Sequence, residues 1–62
     1  MERYYMIRSK RWYQESTDSW VDLIKATRYT TNMQAIEKAQ DLALHHKDIE
    51  VHRFERRIVW HG

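Results

Sequence analysis

The sequence predicts an α+β fold: a small antiparallel sheet of three to four strands with one α-helix, about residues 32–46, packed on one face. Three observations predict it. Between Thr31 and His46, the apolar residues Ala35, Ile36, Ala39, Leu42 and Ala43 recur at steps of three and four, which makes one helical stripe. The segments on either side are rich in aromatic and β-branched residues, the types that fill strands. At 62 residues, 1–62 forms a single domain, and in so short a chain a lone apolar stripe needs a sheet to cover it.

Arg3 to Arg8 reads as the first strand, with Tyr5 and Ile7 toward one face and Tyr4 and Met6 toward the other. Ser9, Lys10 and Arg11 connect it to a second strand, Trp12 to Glu15. Without Gly or Asn, the turn type is not specified. Ser16 to Ser19 is a loop by composition, because its hydroxyls and carboxylate compete for their own backbone. Trp20 to Ala26 is too short for an independent helix and reads as a helical turn or irregular segment, with Trp20 and Leu23 over the edge of the core. Thr27 to Thr30 is β-prone, and Arg28 and Tyr29 fit a short edge strand.

Thr31 and Gln34 stand in the capping-box relation at the helix start, and Lys47 places a positive charge near its far end. After the helix, Ile49 and Val51 alternate onto one face, the period is lost at His52 and Arg53, and Phe54 is out of step. That break predicts a bulge or a change of strand partner. Arg57 to Trp60 resumes a strand with Ile58 and Trp60 on one face and Val59 on the other. It is the strand we place at a dimer interface.

Charge is nearly balanced at +2, but the excess of base lies at the two ends, with Arg3, Arg8, Lys10 and Arg11 in one and Arg53, Arg56 and Arg57 in the other. Were these ends neighbouring strands, the sheet would have a basic side and the helix an acidic one. There is no cysteine, hence no disulfide framework. No secretory or membrane-length apolar segment is evident, which predicts a soluble cytoplasmic protein without a membrane partner.

Chemistry is thinly represented. His45 and His46 adjoin, and neighbours on a helix point about 100° apart, so they make poor ligands for one ion. We expect no metal and no cofactor, with His46 half-buried on the core stripe and His45, His52 and His61 at the surface. Ser16, Thr17, Asp18 and Ser19 cluster without a nearby histidine base or a glycine to shape an oxyanion hole, which predicts no enzyme.

What stands out is a surplus of rings. Three Trp, four Tyr and one Phe exceed what one short helix can cover, and Trp, Tyr and Arg are the types enriched at binding hot spots. The expected partner-binding or dimer surface is Tyr4, Met6, Arg8, Trp12, Arg53, Arg57, Val59 and Trp60. The alternative is a small nucleic-acid-binding module using Arg8, Lys10, Arg11, Trp12 and Arg53, with aromatic stacking plus phosphate contacts.

The order YYMIRS, a Trp- and Tyr-containing second strand, and WVDLIKATRYTT running into a helix with Ala35, Ala39 and Ala43 resembles small proteins common in tailed bacteriophages. The resemblance covers about residues 4–54, and the segment after Phe54 is longer and more apolar than that pattern. It implies a phage-encoded α+β protein, from a class that includes host-defence inhibitors such as anti-CRISPR-type proteins. Taken with the small size and the apolar surplus, the expected function is non-catalytic: a homodimeric, protein-binding inhibitor or modulator of a bacterial host factor, acting in the host cytoplasm.

Overall fold

The computed structural model describes residues 3–53 and 57–62. It contains one antiparallel five-stranded sheet and one helix, an α+β architecture as the sequence predicts. The strands are β1 (Tyr5–Ser9), β2 (Arg11–Gln14), β3 (Ser19–Val21), β4 (Glu50–Arg53) and β5 (Arg57–His61), arranged β3-β2-β1-β4-β5. Helix α1 (Asn32–Leu42) connects β3 to β4. β4, which carries Arg53, pairs with β1, so the two basic ends of the chain are neighbours in the sheet, with β5 and its Arg57 one strand further out.

β1 and β2 meet in a tight hairpin, with Ser9 opposite Arg11 and Lys10 alone at the tip in the left-handed region, φ 64°. Beyond Arg8 and Trp12 the two strands part, and residues 27–29 fill the gap. The Thr27 amide donates to the Tyr13 carbonyl at 3.0 Å, and Tyr29 exchanges both backbone bonds with Tyr5 at 2.8 Å. The edge strand expected at Arg28 and Tyr29 is thus a single bridge, wedged inside the sheet.

The fifth strand is β3, where the sequence suggested a loop and a helical turn. Trp20 and Val21 are β-prone, and β2 offers them a ladder with Tyr13 opposite Trp20. Only Leu23–Lys25 keeps a helical turn, of the 3-10 kind.

Thr31 caps α1, its hydroxyl accepting from the Gln34 amide at 3.3 Å. The Gln34 side chain turns to the Thr30 hydroxyl instead of closing the capping box. Ala35, Ala39 and Leu42 are buried, with Ile36 and Ala43 half-buried beside them, which is the predicted stripe. Its alanines let the helix lie close to the sheet. The helix ends at Leu42 rather than His46: the amides of Leu44 and His45 turn to the carbonyls three residues back, Asp41 and Leu42, which tightens the chain into a turn. Asp48, at φ 59°, completes the reversal toward β4, and the Ser9 hydroxyl pins this corner by donating to the Lys47 carbonyl at 2.7 Å.

The lost period around His52 corresponds to a bulge between β4 and β5. Val51 stands opposite Trp60 and His52 opposite Ile58, which leaves Val59 as an extra residue on β5. Phe54 and Arg56 lie outside the described residues. The bulge corrects one expectation: Ile58 and Trp60 do not share a face, since their partners Val51 and His52 are consecutive and point oppositely. Trp60 accordingly joins the helix-side core, while Ile58 emerges on the other side.

That core consists of Ile7, Tyr13, Tyr29, Ile49 and Val51 against Ala35, Ala39 and Leu42, with Tyr5, Trp20 and Trp60 closing its margins. Tyr13 is 1% exposed, and its hydroxyl donates to Asp18 at 2.7 Å. Burial first, then this bond to Asp18, pushes its pKa up to about 12. Among the described residues no helix is long and apolar enough to cross a membrane.

Candidate protein-binding face

Register assigns side chains to the second face of the sheet, which α1 does not cover. Trp12, Arg8 and Glu50 stand in one cross-strand row, and Met6, His52 and Ile58 in the next. Arg28 belongs to the same side, because its neighbour Tyr29 pairs with the helix-facing Tyr5. It lies over the Tyr4 ring at 4.8 Å.

His52 is the centre of this face and is only 5% exposed. A carboxylate can only accept, so Nε2–H donates to Glu50 Oε1 at 2.9 Å; Nδ1 has no partner among the described residues. The ring of Trp12 meets His52 edge-on at 5.1 Å. Trp12 is on β2 and His52 on β4, about 10 Å apart at two strand spacings. Their rings must lean toward each other over β1, and Met6, carried by β1 on this side, is 4% exposed. Arg8 lies over the outer side of the arrangement, 5.4 Å from the Trp12 ring. Arg8, Trp12, His52 and Leu23 line one shallow depression. Ile24 on the same 3-10 turn, and Ile58 and Val59 on β5, are exposed.

The structure divides the residues expected to form one binding surface. Tyr4, Arg8 and Trp12 share the open face. Met6 is on that side but buried, beneath rings that the sequence could not place. Arg53 stands opposite helix-facing Tyr5 and Arg57 opposite Arg53, so both project on the other side of the sheet. Trp60 is half-buried against the core rather than displayed, and Val59 is the bulge residue. The bulge interrupts the outer edge of the sheet, which blunts strand-to-strand pairing there.

The residues of the nucleic-acid reading are divided too: Lys10 is at the hairpin tip, and Arg11 pairs with Asp22 at 3.3 Å. The histidine expectation is reversed. His46 is exposed after the helix, touching Trp20 at 5.4 Å, and the buried histidine is His52. His52, Leu23, Arg28 and Ile58 were missed as members of the face. The broken period is a signal for His52 and Ile58 alone, since the bulge at Val59 is what turns Ile58 outward; the sequence holds none for Leu23 or Arg28.

An open-faced α+β sheet with an aromatic, arginine-bearing surface is the class of protein these features define. Comparison with protein families, curated proteins and solved structures returned no match to this chain.

Proposed function

We propose that this chain is a non-catalytic protein-binding module whose partner docks on the open face of the sheet. The observation that carries the reading is the half-buried Trp12, held edge-on against His52 with Arg8 over its ring, in a shallow depression on the face that α1 does not cover. A partly exposed Trp held against its neighbours beside an Arg is the composition of a binding hot spot. From the resemblance to small tailed-bacteriophage proteins, the proposed target is a bacterial host protein, inhibited or modulated by occupancy in the host cytoplasm.

Affinity capture from bacterial lysate tests the reading when wild type is compared with Trp12→Ala, Arg8→Gln and Leu44→Gln. Leu44 is exposed and lies beyond the end of α1. The expected result is a protein retained by wild type and Leu44→Gln but lost with Trp12→Ala. Retention indifferent to Trp12 and abolished by Leu44→Gln would refute it.

Homodimerisation is a second reading, carried by Ile58 and Val59 exposed side by side on the last strand. Sedimentation at micromolar concentration showing only a 7.7 kDa species removes it.

A further inference from the structure

The distribution of charge on the open face restricts what its occupant can be. We propose that it takes an acidic segment of the partner protein, with carboxylates separated by apolar residues; this inference rests on the protein-binding reading above.

Arg8 and Arg28 are laid on the rings of Trp12 and Tyr4, and Arg3 lines the same depression as Tyr4 and Arg28. Among the described residues none of these three arginines is ion-paired. Of the carboxylates beside this face, Asp22 pairs with Arg11 and Glu50 with His52, while Glu15, Glu37 and Asp41 line a separate depression that Arg28 also borders. A guanidinium stacked on a ring keeps its N–H edge available, and that planar fork matches a carboxylate in two-point fashion. Stacking also restrains a long side chain before binding, which reduces the entropy lost on docking.

A nucleic-acid strand fits less well, because its phosphates recur at every nucleotide and need a continuous basic track. Here Arg11 is paired with Asp22, Arg53 and Arg57 project from the opposite side, and Glu50 stands directly across from Arg8. Separated carboxylates can avoid Glu50; evenly spaced phosphates cannot. Leu23 and Ile58, on the two sides of the face, suit apolar residues between the acids.

The test is selection of a yeast-displayed library of short random peptides on the folded protein, with Trp12→Ala and an Arg8→Gln/Arg28→Gln double variant as controls. Both arginines are exposed, and a circular-dichroism melt verifies that the double variant keeps its fold. The expected winners are enriched in Asp and Glu, bind more weakly as salt rises, and lose about tenfold or more in affinity to the double variant. Neutral or basic winners that depend on Trp12 but not on the arginines overturn the acidic-partner inference and leave the binding face standing. Enrichment no better on wild type than on Trp12→Ala removes the face itself. Displacement of the peptides by a thymidine oligonucleotide at lower concentration than by free acidic peptide overturns the inference in favour of nucleic acid.

Discussion

Trp12 and Tyr13 are consecutive residues of one strand, and truncating each to alanine should have sharply different consequences. Tyr13 is 1% exposed, beneath α1 and beside Trp20, whose ring centre is 5.3 Å away. An aromatic side chain of this kind buries on the order of 150 to 200 Å², worth about 4 to 5 kcal/mol at roughly 25 cal/mol per Å². The cavity left behind adds to that cost. A domain of this size rarely holds more than about 3 to 5 kcal/mol in total, so Tyr13→Ala should be largely unfolded in plain buffer. Trp12 is partly in water, and its neighbours His52 and Arg8 are held by their own strands, so Trp12→Ala should cost about 1 to 2 kcal/mol and still fold. Urea melts followed by far-ultraviolet circular dichroism separate the two cases. Equal losses would mean that the second face is as fully packed as the first, and the reasoning that opens it to a partner would fail.

Three further consequences are measurable. Tyr13 has a folded pKa of about 12 against an ordinary 10.0, so its contribution is intact below pH 10 and is lost as pH rises from there to about 12. The loss is on the order of 2 to 3 kcal/mol, and burial followed by the nearby Glu15 charge raises Tyr29 in the same direction. Urea midpoints should fall steeply over that window, and Tyr13→Phe should flatten the fall; identical slopes would contradict the assignment. Lys10 occupies φ 64°, a region costing a side chain about 1 to 2 kcal/mol, part of which glycine returns through its greater freedom when unfolded. Lys10→Gly should therefore raise stability by about 0.5 to 1 kcal/mol, read as an increased urea midpoint. Deleting Val59 would bring Ile58 and Trp60 into regular register opposite His52 and Val51. Stability should change by less than about 1 kcal/mol, while the straightened outer edge should associate more readily, as sedimentation would show. Collapse of the fold on that deletion would refute the bulge as described.

The helix was legible because its stripe and its Thr31 cap are local signals, and all five stripe residues turn inward. Its end was not, because the stop at Leu42 is imposed by the need to reverse the chain toward β4 and no glycine or proline marks it. The strand β3 was hidden for a related reason. Three residues carry too little pattern to register alone, and only pairing with β2 makes them a strand. The broken alternation leaves open a bulge or a change of strand partner; it is a bulge, and its extra residue is Val59 on β5, so Trp60, expected at the surface, belongs with the core. For the open face, composition supplied the right residue types and could not sort them by side. Met6 and Trp12 illustrate this: both were expected outside, and one closes over the other by leaning across a strand.

The most direct test of the binding face is a two-dimensional amide spectrum of the isotope-labelled protein, recorded with and without the captured partner or a selected peptide. Arg8, Trp12 and His52 should shift while Ala35 and Ala39 stay in place. Shifts confined to the outward side of α1, with Trp12 unmoved, would contradict it.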